Sequence, residues 1–493
     1  MKNSKKQFQR RTKIIATLGP ATDDSKILEQ LISSGVDAIR LNFSHGSSDE
    51  QRKRVELVRK ISKKYDCDVG ILGDLQGPKI RITRFIEGRI KLASGDNFTI
   101  DTAFNAEKGT QFAVGCTYKE LTKNVDVGEL LLIDDGRIIL EIKKIDKTKI
   151  ITSVITGGIL HDTKGLNKKG GVSAPSLAKK DFQDIALAAE LQLDYLAISY
   201  PVNAKDINHA RDLLRKEGGH AAIISKIERS EAIHNIDEII EASDAIMIAR
   251  GDLGVEIGDA ELPAVQKNLI KKAREKNCVV ITATQMMESM ITNTIPTRAE
   301  VFDVANAVID GTDAVMLSGE TAVGDYPIQA FKAMSRICAS SEKQLPARDA
   351  DQHQFEHFEK TDQAIASTVM YLANHLHVKA IVALTESGST ALVMSRINSE
   401  IPIFAMTTHS QTLRKVTLFR GVYPAKIGSI KTNHAQVNKD AIDVLVTHKV
   451  VKKGDLVIIT KGDLAGVHGG TNSLKIVKVG YLVDPQEKLQ LPE

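Results

Sequence analysis

The feature that most restricts what this chain can fold into is a theme repeated from Thr12 onward. A short apolar strand ends in polar or glycine residues, and an amphipathic helix follows. The strands read as TKIIATLG, DAIRLNFS, VGILGDL, YLAISY, AAIISKIE, AIMIARGD, VVITATQ and AVMLS, eight in all. Between them, stretches such as Pro263 to Lys276 and Thr297 to Ile309 carry apolar residues at helical spacing. Eight strands alternating with helices predict a parallel (β/α)₈ TIM barrel, whose chemistry sits at the C-terminal ends of the strands.

One connection is far too long for that plan. Between Asp74 and Tyr195 the texture changes to period-two alternation with glycine-bearing turns, as in KIRITRFIEGRIKL, ELLLIDDGRIILEIKKI and KIITSVITGG. It predicts an inserted β-barrel domain over 77–172, leaving and re-entering at the catalytic end and so placed as a lid. The barrel then comprises 1–76 and 173–345. Leu345 to Phe358 breaks the pattern with proline, charge and histidine; 346–360 reads as a linker, with His353 and His357 solvated. From 361 to 493, KAIVALTE, IPIFAMT, GVYPAKI, DLVIITKG and LKIVKVG predict a separate open α/β sheet.

The polar residues at the ends of the barrel strands form an unusual set. Arg40, Asn42 and Ser44 alternate on one face of the second strand; Asp74 ends the third, Ser199 the fourth, Thr284 the seventh, and Ser318 and Glu320 the eighth. Lys226 and Glu228 share a face of the fifth strand, and Arg250 and Asp252 end the sixth. If those two strands are parallel neighbours, Glu228 and Asp252 lie side by side and suit a hard divalent cation, Mg²⁺ or Mn²⁺. Gly251, Asp252 and Leu253 open a short helical turn whose N–H groups suit a carboxylate. Arg40, Arg81 and Lys226 then point to a strongly anionic substrate such as a phosphorylated carboxylic acid. A single polar strand end is ordinarily a cap or a buried hydrogen-bond partner; convergence on one rim argues for a site.

Other classes are disfavoured. The net charge of +4 is small, and its basic excess is partly local to Lys2, Lys5, Lys6, Arg10 and Arg11, with no aromatic and basic stripe after it, so nucleic acid is not an expected partner. No run of 18 or more apolar residues or signal-peptide pattern is present, so no membrane association is expected. Cys67, Cys116, Cys278 and Cys338 form no C-x-x-C pair and read as reduced thiols of a cytoplasmic protein, without zinc.

TKIIATLGP, RLNFSHG, DLQGPKIR, ISKIER, ARGDLGVE, ATQMMESM and PTRAEVFDVANAVIDGTDAVMLSGETAVGDYP occur in this order, and with them the chain resembles the pyruvate kinases throughout its length. The resemblance implies transfer of the phosphoryl group of phosphoenolpyruvate to ADP, giving ATP and enolpyruvate that is protonated to pyruvate. Carried over, it implies that Glu228 and Asp252 hold the divalent cation, that Lys226 neutralises the transferring phosphoryl group and the enolate, and that Arg40 and Arg81 clamp phosphate. Thr284 would order the proton route, and Lys164, His45 and Pro20 would meet the nucleotide. It also implies glycolysis, a homotetramer and a cytoplasmic location.

The family's animal members need K⁺, held by the counterparts of Asn42, Ser44 and Asp74 plus a threonine. Here Leu75 stands for that threonine, and Lys79 for a glutamate. The expectation is that the Lys79 ammonium sits where K⁺ would, as in the K⁺-independent bacterial subgroup. The alternative is that Lys79 points to solvent and K⁺ binds regardless. Near the C-terminus, Thr385, Glu386, Ser387, Gly388, Ser389 and Thr390 form a strand-to-helix turn able to present N–H and hydroxyl groups. The resemblance makes it the phosphate loop of an allosteric site for a sugar monophosphate or AMP, with Lys461 to Asn472 closing over it. Two other readings remain: a metal-dependent lyase barrel, which leaves the lid and Lys164 unexplained, and a silent ligand-sensing scaffold, which leaves Lys226, Glu228, Asp252 and Thr284 unexplained.

Overall fold

The computed structural model describes residues 10–481 apart from 135, 170, 172–175, 345–357, 359, 429–433 and 463–469. Lys2, Lys5 and Lys6, the histidines His353 and His357, and most of the loop from Lys461 to Asn472 lie outside the described residues.

The expected strands form a closed ring, Lys13–Thr17, Ala38–Asn42, Gly70–Asp74, Tyr195–Ile198, Ala222–Ile227, Ala245–Ala249, Val279–Ala283 and Ala314–Leu317, each parallel to its neighbours. Alternation along a strand decides which residues enter the lumen. Ile15, Ala38, Leu72, Tyr195, Ile224, Met247, Ile281 and Met316 share one buried cluster, and the opposite faces pack on the surrounding helices. Continuing the lumen parity beyond that apolar layer reaches Arg40, Asn42, Asp74, Ser199, Lys226 and Glu228. The fifth and sixth strands are parallel neighbours, with Lys226 opposite Met247.

The sixth strand stops at Ala249, one residue before Arg250. The reading of AIMIARGD as strand is therefore corrected: Arg250 and Asp252 belong to the helix Arg250–Ile257. Gly251 and Gly254 lie within this helix, so its place is held by tertiary contacts more than by propensity.

The inserted segment carries a two-stranded sheet (Arg89–Leu92 with Gly158–His161) and a six-stranded sheet, Leu166–Lys168, Leu130–Ile133, Ile138–Asp146, Lys149–Thr156, Asn97–Asp101 and Ala113–Gly115 in spatial order. The two wrap a core of their own that includes Phe98, Ile100, Val114, Leu140 and Leu160. The segment around Arg81 and Ile82 bridges both edges of the six-stranded sheet, Arg81 pairing with Gly165 beside Leu166–Lys168 and Ile82 with Cys116 beside Ala113–Gly115.

At the other end of the ring stands a five-stranded sheet, ordered Val422–Lys426, Ile403–Thr407, Val378–Leu384, Leu456–Gly462 and Thr471–Lys478, the last strand antiparallel. Its core is continuous with the barrel lumen: Ala366, Met370, Met394 and Leu418 share a cluster with Ile224 and Met316. No helix among the described residues is long and apolar enough to cross a membrane.

Candidate active site

A cavity of ≈ 190 Å³ opens at the C-terminal ends of the barrel strands. Arg40, Asn42, Ser44, His45, Asp74, Leu75, Lys79, Arg81, Ser199, Lys226, Glu228, Asp252 and Thr284 all line it, together with Gln76, Tyr200, Met247, Ala249 and Met316. Residues spread over the second to eighth strands and the start of the insertion thus meet in one place.

Lys226 is its centre. Its ammonium lies 2.9 Å from Glu228 Oε1 and 3.2 Å from Asp74 Oδ1, and donates to Ser199 Oγ at 2.7 Å. Burial opposes the charge, but Asp74 and Glu228 outweigh it and hold Lys226 above the usual lysine range. Asp74 also accepts from Arg40 Nε at 2.7 Å. Against its own burial, Lys226 and Arg40 keep this carboxyl below the usual aspartate range. Arg40 donates from Nη1 to Thr17 at 3.1 Å, so two donors of its fork hold it and others remain for a ligand.

The two carboxylates expected to bind metal differ. Burial, and next Asp252 among the groups that add to it, raise the Glu228 pKa, while Lys226 opposes. Asp252 is lowered: burial works against this, and Lys79 and Lys226 prevail. Glu228 accepts from Tyr200 N at 2.9 Å, which fixes its position. Two hard-oxygen carboxylates close enough to repel each other, in a cavity with room for water, fit Mg²⁺ or Mn²⁺.

Thr284 stands with φ 64°, and Gln285 follows at φ 54°. Its Oγ1 accepts from Gly251 N at 2.9 Å and donates to Ala283 O at 2.7 Å. The Gly251 N–H expected to hold a carboxylate is therefore bonded to Thr284. His45 lines the cavity with its pKa lowered by burial and then by Arg81 and Arg40. Arg81 donates to Thr163 O at 3.0 Å, so both belong to the neighbourhood where insertion and barrel meet.

Four of the expected residues are placed as follows. Lys79 does not face Asn42, Ser44 and Asp74: its Nζ is 2.8 Å from Asp252 Oδ1, and the ammonium beside Asp74 is that of Lys226. Ser318 does not line the cavity; its N–H is bonded at 2.6 Å to Glu320, which also accepts from Met287 N. Glu320 is accordingly a buried brace between the last two strand ends. Pro20 opens a short 3-10 helix and Lys164 pairs with Asp134 at 2.8 Å on the insertion; neither is among the residues lining the cavity. Asn42, Ser44, Asp74 and Leu75 do meet in the cavity.

Sequence reasoning missed Tyr200. It has φ 57°, its ring lies under Arg229, and it hydrogen-bonds Asp252. A tyrosine after a strand carries no signal for that conformation.

In the C-terminal sheet domain, Thr385 to Thr390 link the strand Val378–Leu384 to the helix Ser389–Ser395, with Gly388 at φ 88° making the turn. Thr385 Oγ1 accepts from Gly388 N, Thr390 bonds Thr471 and Ser387 lies against Ser389, while Glu386 pairs with His409.

Comparison with known proteins agrees with this geometry. The family described as "Pyruvate kinase, barrel domain" matches residues 9–331, and "Pyruvate kinase, alpha/beta domain" matches 363–477. A "Pyruvate kinase" of Buchnera aphidicola subsp. Schizaphis graminum is 52% identical over 96% of this chain and 99% of its own length. A "Pyruvate kinase II" of Salmonella typhimurium is 49% identical over 95% and 99%, and a "Pyruvate kinase" of Geobacillus stearothermophilus 41% over 97% and 81%. With both family regions matched in order and identity held along nearly the full length, the chain belongs to the pyruvate kinase family of phosphotransferases.

Proposed function

We propose that the rim around Lys226 transfers the phosphoryl group of phosphoenolpyruvate to ADP and then protonates the enolate, with the roles that follow. The observation carrying this is the Lys226 ammonium, kept charged by Asp74 and Glu228 at the mouth of a cavity that also holds Arg40 and Arg81. Phosphoryl transfer needs positioning and charge neutralisation more than a nucleophile, and these groups supply both. Arg40, braced on Asp74 and Thr17, directs its remaining donors at phosphate oxygens. Lys226 offsets negative charge on the transferring group and on the enolate oxygen. Glu228 and Asp252 would hold Mg²⁺ or Mn²⁺, which supplies further neutralisation of the anionic substrate when bound. Thr284 presents its hydroxyl where the enolate takes up its proton, and His45, Arg81 and Lys164 receive the nucleotide.

A coupled assay for pyruvate formation from phosphoenolpyruvate and ADP tests the reading. Lys226→Met is expected to lower kcat by roughly 10²- to 10³-fold with folding intact. Near wild-type turnover would overturn the assignment.

The same reading extends to four finer points. K⁺ is not required, because Leu75 offers no side-chain oxygen and its carbonyl already accepts from Ser199, Asp74 is already neutralised by Arg40 and Lys226, and Lys79 adds a fixed cation nearby. A large activation by KCl in buffer lacking Na⁺ and K⁺ would reject this. The turn Thr385 to Thr390 takes a phosphorylated effector, a sugar monophosphate or AMP, read as a shift in half-saturation for phosphoenolpyruvate. A second copy covers the helix Arg298–Ile309, where Phe302 is 70% exposed and Ile295, just before it, 73% exposed, on the way to a homotetramer testable by sedimentation. The enzyme works in the cytoplasm, where the family's substrates are made.

A further inference from the structure

Arg250 is buried and does not line the cavity, yet it grips a residue that does. Its Nε and Nη2 donate to Thr284 O at 3.2 and 2.8 Å. Its Nη1 donates to Asp303 Oδ1 at 2.7 Å and to Gln266 Oε1 at 3.4 Å. The next residue, Gly251, donates its N–H to Thr284 Oγ1, and the one after that is Asp252. One helix start therefore holds Thr284 by carbonyl and by hydroxyl while presenting a candidate metal carboxylate.

Thr284 needs such a grip. It is β-branched and lies at φ 64°, with Gln285 at φ 54°. A β-branched residue in the left-handed region is an outlier that persists only where its surroundings over-determine it. The carbonyl is held by Arg250, and Thr284 itself lines the cavity. Asp303, from the helix Arg298–Ile309, fixes the guanidinium in turn.

We propose that Arg250 is a positioning residue for the protonation step, setting the Thr284 hydroxyl without touching substrate. This rests on the reading of Thr284 as the proton route. In that step the enolate forms a C3–H bond with a solvent-derived proton, its C2–C3 π pair supplying the electrons, while the oxygen's negative charge becomes the C2=O double bond. The reverse step removes a methyl proton from pyruvate and is read without phosphoryl transfer.

The test is deuterium exchange at the pyruvate methyl group in D₂O, with full-length enzyme, Mg²⁺ and ATP, followed by NMR. Arg250→Met and Thr284→Ala should each slow exchange by roughly 10²-fold. The KM for phosphoenolpyruvate of Arg250→Met should stay within about threefold of wild type, and Arg250→Lys should recover part of the rate. The double variant should be no slower than Thr284→Ala alone, because the two act through one hydroxyl. If Arg250→Met does not fold, Asp303→Asn removes the charged partner that fixes the guanidinium, loosens its hold on Thr284 and is expected to slow exchange several-fold. Folded Arg250→Met, or in its place folded Asp303→Asn, exchanging at the wild-type rate overturns the inference, as does an additive double variant. Thr284→Ala with wild-type exchange overturns the reading of Thr284 and this inference with it. Impaired Thr284→Ala beside unimpaired Arg250→Met overturns the inference alone.

Discussion

The Lys79 side chain connects the start of the insertion to a carboxylate expected to hold metal. With Nζ 2.8 Å from Asp252 Oδ1, it competes with any cation reaching that oxygen. Lys79→Met should therefore tighten Mn²⁺ binding by several-fold, measured by electron paramagnetic resonance of free Mn²⁺; unchanged or weaker binding would show that the pair does not oppose the metal. Direct reading of the residues identified both groups but not their contact, since four residues of DLQGPKIR lie between the strand-end Asp74 and Lys79. Arg40, Asn42, Lys226 and Glu228 were legible because strand parity alone places them. Tyr200 and Thr284 owe their orientation to positive φ values that no side-chain type announces.

Where the insertion leaves and rejoins the barrel, one buried carboxylate links both strands of chain. Asp181 accepts from Gly77 N at 3.1 Å and from Ala178 N at 2.6 Å. Asp181→Ala leaves both N–H groups without that partner at a cost of about 1–3 kcal/mol. Faster limited proteolysis at these two connections and a several-fold higher KM for ADP are expected. Nearby, Glu256 accepts from Ser230 N and lines a small cavity with Lys79, Lys168, Tyr200 and Arg229. Burial first, and then Glu231 and Asp252, push its pKa up to about 7, against Ser230 and Arg229. The folded state thus binds more protons than the unfolded state between about pH 4.5 and 7, so this group's contribution to stability falls as pH rises through that window. Compared with Glu256→Gln, the wild type should lose on the order of 3 kcal/mol across it. Parallel urea midpoints for the two proteins from pH 5 to 7 would contradict this. The strand and helix alternation was visible in the chain, but the end of the sixth strand was not: Arg250 and Asp252 fit strand alternation as well as a first helical turn.

Across the whole molecule, the C-terminal sheet domain is fastened to the barrel through charge. Asp313, fully buried, pairs with Arg396 and accepts from Arg420 N; Arg414 reaches Asp194 at 2.6 Å and Lys415 reaches Asp244 at 3.0 Å. Lys13, also buried, donates to Val422 O at 2.6 Å. Removing one partner of a buried pair strands the other charge, so Asp313→Ala should cost about 3–5 kcal/mol. Calorimetry should then show the two parts unfolding in separate transitions, and a single unshifted transition would refute the point. By itself, the sequence determined the ring of eight strands, the β character of the insertion, the sheet that follows and the rim residues, because periodicity and parity are local properties of a chain. Only the tertiary structure decided that Lys79 meets Asp252, that Gly251 and Arg250 grip Thr284, and that Lys13 is buried under a second domain. Those contacts join residues far apart in sequence, and their geometry exists only once the strands have closed and the domains have docked.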